Sequence, residues 1–260
     1  MDLYDLLQDQ IGMFLLVLTR VSAIFIIAPF FGSRNIPITL RVAASVAITL
    51  VVFPLVVQMG IVKLPETLLG YMLVVFTELL IGWCIGFVAS LTFSAIHMAG
   101  QLLDMQVGFG VVNVLDPSTG QQVPIIGSFK YNLAIIVFLV TNSHHFLITA
   151  LFESFKMIPI MGAAITPKIT ELLVDLTGAT FVTALKISIP ILAAILLTDV
   201  ALGVLARTMP QMNIFVVGIP AKIFVGLFVL SFALPFYILF LDVAFNEIQG
   251  NVLAVLRTLQ

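Results

Sequence analysis

Six long apolar runs fill most of this chain, at residues 11–31, 38–57, 68–96, 125–151, 172–204 and 214–245, and nearly every one carries a charge. The charges are Arg20, Glu78, Lys130, Lys186, Asp199 and Lys222. A helix needs about 20 apolar residues to span a bilayer. A charge at bilayer depth costs about 2.5–3.5 kcal/mol on the insertion scale unless it is paired or wetted. Apolar residues make up 61% of the sequence and charged residues 9%, against about 25% charged in a soluble domain. So few charges cannot cover a water-facing surface. The chain must live in lipid or be wrapped by other apolar subunits, and a soluble enzyme is excluded.

The same totals narrow the function classes. A formal charge of −2 supplies no basic stripe for nucleic acid. The single cysteine, Cys84, sits in an apolar run; it allows no internal disulfide or cysteine metal site and reads as a packing residue. The acidic start, with Asp2, Asp5 and Asp9, lacks the positive region of a cleavable secretory signal. His144 and His145 are adjacent, so on a helix they point about 100° apart and do not form the i,i+4 metal pair. There is no H-E-x-x-H, G-x-S-x-G or Walker-type loop. Asp104, Asp116, Asp175 and Asp199 could in principle supply an acid pair, but nothing around them in the sequence supports one. The expectation is a chain without catalysis, metal or cofactor.

The expected architecture is all-α: an integral membrane-type protein of about six long, kinked helices arranged as hairpins. A single helix over 68–96 would be about 44 Å long, more than a hydrocarbon core of about 30 Å, so it must tilt, kink or project. Gly82 and Gly86 within it match a small-xxx-small helix contact. Residues 97–124 are apolar, punctuated by glycine and closed by a turn signal at Asp116-Pro117 through Gly120. They read as neither a spanning helix nor a solvated loop. Irregular backbone at membrane depth is tolerated where protein buries it or a water-filled cavity adjoins it. The mixed polar stretch 152–171 is the best boundary. The short link 206–213 predicts an antiparallel hairpin of the last two runs. Pro190, Pro220 and Pro235 predict kinks or breaks, and 246–260 predicts a short amphipathic helix. The Lys and Arg of the loops assign no orientation.

Counting from a hairpin turn near Met209, Asp199 and Lys222 fall at similar depth and are expected to pair. Asp175 and Lys186 share a face three turns apart, too far to touch, and both could meet neighbouring subunits. Spacing assigns no partner to Arg20, Glu78 or Lys130. Buried charges can form an ion or proton relay. Without the repeat symmetry of a transporter, pairing that fixes helix register is the favoured role.

Three stretches carry a family resemblance. Arg20-Val21-Ser22-Ala23 through Ala28-Pro29-Phe30-Phe31, with Arg34-Asn35-Ile36-Pro37 and Arg41, resembles the opening of the FliR family of the flagellar type III export apparatus. Gly100-Gln101 through Gly108-Phe109-Gly110 and Leu115-Asp116-Pro117 is similar to its central segment. Met209-Pro210-Gln211-Met212-Asn213 through Gly218-Ile219-Pro220 is similar to its carboxy-terminal signature. The resemblance implies a FliP-like part over 1–165 followed by a FliQ-like hairpin and tail over 166–260. It implies assembly with FliP-like and FliQ-like subunits into a gate for unfolded flagellar proteins, alongside FlhB-like and FlhA-like components. The location implied is the inner membrane in the flagellar basal body, raised toward the periplasm. On this reading the 106–123 segment helps plug the pore, with Val107, Gly108, Phe109, Gly110, Val111 and Val112 as its core, since apolar side chains can seal a constriction by dewetting. Two other classes stay open: a self-contained secondary transporter or ion channel using the buried charges, and an intramembrane enzyme, for which no nucleophile is visible.

Overall fold

The computed structural model describes residues 3–33, 36–60, 64–65, 67–109, 124–164, 166–211 and 213–260. The described residues form seven α-helices: α1 Leu3–Ile27, α2 Ile38–Gln58, α3 Leu68–Val107, α4 Ile125–Val140, α5 His144–Met157, α6 Pro167–Thr208 and α7 Ile214–Leu259. The fold is all-α and membrane-integral. Five of the helices, α1, α2, α3, α6 and α7, are long and apolar enough to cross a membrane. At 1.5 Å per residue, the 42 residues of α6 run about 63 Å.

Three features differ from the sequence-based expectation. First, α3 continues unbroken through 97–107, where glycine punctuation suggested irregular backbone. Gly100 does not break the helix because its bare Cα is needed for packing. A Cβ there would lie 2.2 Å from Gly127 Cα. The helix ends instead at Gly108, whose φ of 103° is open to glycine at little cost. Second, the run 125–151 is two helices, separated at Asn142, which has a φ of 57°. Asparagine tolerates this left-handed conformation better than most residues. Third, the tail is the last part of α7 rather than a separate element; of the kinks or breaks expected at Pro190, Pro220 and Pro235, no break occurs.

The chain divides into two compact units. Unit 1 comprises 1–91, 142–176 and 246–260. Its core is set by α1, whose buried residues Met13, Leu16, Val17, Arg20, Val21 and Ile24 recur at helical spacing. Helix α2 packs on α1 through an edge-to-face contact of Phe14 and Phe53, 5.4 Å between centroids. The buried stripe of α2 is narrow, Ser45, Thr49, Val52 and Val56. Its two hydroxyls return to backbone carbonyls four residues back, at 2.9 and 2.7 Å. Gly82 and Gly86 lie against α1. A Cβ on Gly82 would meet the Arg20 carbonyl oxygen at 2.4 Å and Ala23 Cβ at 2.7 Å; one on Gly86 would meet Ile27 Cβ at 3.2 Å. The C-terminus is tied in by Ala164 N–H donating to the Leu259 carbonyl at 3.0 Å.

Unit 2 comprises 92–141 and 177–245. One of its clusters stacks Phe93 on Phe245 at 5.4 Å, with Phe138 edge-on to both rings. A second joins Leu103, Val107, Ile126, Ile191, Ile195 and Leu230. Gly226 makes room for it, since a Cβ there would stand 2.8 Å from Val107 Cγ2.

Gly82→Val is expected to lose about 1–3 kcal/mol of stability by overpacking. Gly178→Ala, with nothing within 4 Å of the added carbon, is expected to gain up to about 1 kcal/mol from helix entropy. Denaturation followed by circular dichroism in micelles distinguishes the two; equal effects would contradict the close α1–α3 contact.

Candidate functional site

The candidate site residues are polar groups set into apolar helices, and they fall into separate places. In unit 1, Arg20 is fully buried and Glu78 is 1% exposed. Arg20 Nε donates to Glu78 Oε2 at 2.6 Å. Arg20 Nη1 donates to the carbonyls of Ser154 and Ile158, both at 3.0 Å. Those carbonyls belong to the end of α5, where a cation complements the negative end of the helix dipole; the Ser154 carbonyl also accepts the Ile158 N–H at 2.9 Å. The guanidinium also lies 4.2 Å from the Phe155 ring centroid, within cation–π range. One side chain thus joins α1, α3 and α5. Gly82 follows Glu78 by one helical turn, and its contact with the Arg20 backbone holds α3 close enough for the short ion pair. Sequence spacing gave no partner to either charge, because the pair is separated by 58 residues and the other acceptors are backbone atoms. Arg20 Nη2 and Glu78 Oε1 have no hydrogen-bond partner among the described residues.

In unit 2, Asp199 and Lys222 form an ion pair across the α6–α7 link. It is partly exposed, with side-chain exposures of 36% and 25%. Lys186 is exposed rather than buried, because α6 turns that face outward. Lys130 is 2% exposed. Its ammonium lies 4.4 Å from the centroid of the Tyr237 ring, and the Tyr237 hydroxyl donates to the Lys130 carbonyl at 3.1 Å.

The ends of the 106–123 segment are also in unit 2. Asp104, 5% exposed, accepts the N–H of Ile126 through Oδ1 and that of Gly127 through Oδ2, both at 2.9 Å. It caps α4 from another helix, satisfying first-turn donors that have no partner within α4. The sequence marked Asp104 only as a possible acid; nothing local to it signals a cap 22 residues away. Of the expected plug residues, Val107 is buried in the unit's own core and Phe109 packs against that core. Val107 is therefore a packing residue at the base of the segment rather than a free apolar wall. Gly110, Val111 and Val112 lie outside the described residues. Among the described residues no group of three His, Cys, Asp or Glu side chains converges to hold a metal.

A sequence profile described as bacterial export proteins, family 1, matches residues 11–248. The chain belongs to this family, that of FliR. Among its relatives, the flagellar biosynthetic protein FliR of Bacillus subtilis is 37% identical over 225 residues, 85% of this chain and 86% of that protein. The FliR of Pectobacterium carotovorum is 31% identical over 96% of this chain and 95% of its own length. That of Escherichia coli is 28% identical over 91% and 89%. The FliR-family match runs through all the apolar helices, so Arg20, Glu78, Asp104, Lys130, Lys186, Asp199 and Lys222 all lie inside it.

Two predictions follow from the geometry. Arg20→Met or Glu78→Leu alone is expected to cost about 3–5 kcal/mol, because each leaves its buried partner uncompensated. The double change Arg20→Met with Glu78→Leu is expected to recover much of that in a denaturation cycle. A double variant no better than the worse single one would show that the two charges are not a coupled unit. Asp104→Ala is expected to cost about 1–3 kcal/mol and to speed hydrogen exchange at the Ile126 and Gly127 amides. Unchanged exchange there would contradict the cap.

Proposed function

We propose that this chain is a non-enzymatic structural subunit of the flagellar type III protein-export gate. In it, FliP-like and FliQ-like subunits complete a channel for unfolded flagellar proteins in the inner membrane. The supporting observation is the length of apolar surface that the chain leaves uncovered. On α6, large apolar side chains stand exposed from Phe181 to Leu205, about 36 Å along the axis, and the exposed Lys186 stands among them. A charge at that depth in a bilayer costs about 2.5–3.5 kcal/mol unless it is paired or wetted. A neighbouring helix can cover such a surface and supply a partner for the charge. Membership of a bacterial export family supports the same reading, with energy coupling supplied by other components such as FlhA-like and FlhB-like proteins.

Residues 1–165 act on this reading as a FliP-like part and 166–260 as a FliQ-like hairpin. The apolar segment around Phe109, flanked in sequence by Gly108 and Gly110, contributes to the seal of the idle pore. Its chemistry supports the role, since apolar side chains exclude ions by dewetting.

Deleting the gene in the host bacterium is expected to abolish flagellin export and swimming, both restored by a plasmid copy. A copy lacking Gly108–Gly110 is expected to assemble but leak ions. Normal filaments in the deletion strain would overturn the export reading, and an ion-tight Gly108–Gly110 deletion would overturn the plug. Ion or solute flux through the purified chain alone, in vesicles, would favour a self-contained transporter.

A further inference from the structure

Helices α6 and α7 border a groove of about 350 Å³ in unit 2, walled by Ile187, Pro190, Phe232, Phe236 and Phe240. Two lysines also line it, Lys130 and Lys186. Neither is paired with a carboxylate among the described residues, whose ion pairs are Arg20–Glu78, Lys156–Glu153 and Lys222–Asp199. The Tyr237 ring face lies beside the Lys130 ammonium, its centroid 4.4 Å away. A cation this deep in apolar surroundings calls for a counter-charge. The walls require that the counter-charge arrive on an apolar carrier.

We infer that the groove receives the carboxylate side chain of an apolar helix from a neighbouring subunit, paired with Lys130 and Lys186. Depth selects this occupant over an anionic lipid. Helix α7 is free of charge from Ile223 to Leu241, about 28 Å of axis. Phe232 and Phe236 stand about 9–21 Å from the charges at either end, Lys222 and Asp242. Lys186 is eleven residues after Asp175 and thirteen before Asp199, about 16–20 Å from each. A phosphate headgroup sits at the ends of such a span, not near its middle. The seat for a helix is also present. Phe224, Phe228, Phe232 and Phe236 repeat every four residues and are all more than half exposed. They form a ladder about 18 Å long. No Asp or Glu among the described residues lines the groove, and Glu78, Asp104 and Asp199 are engaged elsewhere, so the carboxylate comes from a different chain.

The inference rests on the export-gate reading, and one experiment separates the two. The chain is co-expressed with its FliP-like and FliQ-like subunits, and the gently extracted complex is weighed by native mass spectrometry. Lys130→Met is expected to reduce the assembled fraction by about 30-fold, as when one partner of a buried charge pair is removed. Lys186→Met, at an exposed position that leaves folding of the chain intact, is expected to reduce it by a smaller factor. Changing one mid-helix Asp or Glu of a partner subunit to Leu is expected to restore assembly of the double variant Lys130→Met with Lys186→Met, in which that carboxylate has lost both partners. No assembly by the unaltered chain would overturn the export-gate reading and this inference with it. Assembly of both lysine variants at the unaltered level, or no restoring partner change, would overturn the inference alone. So would unchanged subunit composition with loss of a bound acidic phospholipid mass, which assigns the groove to lipid.

Discussion

The helices of this chain are apolar on nearly every face, and that removes the signal that normally sets how helices pack. In water, an apolar stripe turns inward because the opposite face is polar. Here the outward face of α6 or α7 is as apolar as the inward one, so burial alone does not choose a rotation or a register. The choice falls to the few groups that are not apolar and the few that have no side chain. Arg20 and Glu78 choose it for α1, α3 and α5. Asp104 and the Gly100–Gly127 contact choose it for α3 and α4. Asp199 with Lys222 chooses it for the α6–α7 hairpin.

These contacts work because they are costly to leave unmade. A buried ion pair adds little net stability over an apolar pair of the same shape, but half of one is strongly destabilising. Any packing in which Arg20 fails to meet Glu78 and the end of α5 is therefore penalised, while the apolar contacts around it are nearly indifferent. The glycines act in the opposite sense. Gly82 and Gly100 admit a neighbouring backbone to distances that any side chain forbids, and so bring the polar groups within reach.

Much of the architecture was legible in the sequence for physical reasons. Apolar runs of spanning length announce helices, and the Asp199–Lys222 pairing follows from counting residues out from a turn. The small-xxx-small spacing of Gly82 and Gly86 marked a close helix contact, and the fold makes it with α1. What was not legible depends on non-local geometry. Nothing near Arg20 points to residue 78, or to carbonyls at 154 and 158. The tertiary use of Gly100 turned an apparent helix breaker into part of a 40-residue helix. Asn142 split a run whose composition reads as continuous. The prolines of α6 and α7 did not interrupt their helices.

What covers the exposed face of α7 decides whether the chain is one subunit of a larger helical assembly. A spin label at Phe228→Cys, in a Cys84→Ala background, measures this directly through its collision rate with oxygen, which dissolves in lipid but is excluded from packed protein. High oxygen accessibility is expected in the chain alone, with a severalfold fall when the partner subunits are present. Equally high accessibility in both states would mean that lipid, not protein, covers this face, and would contradict the claim that the chain is one subunit of a larger helical assembly.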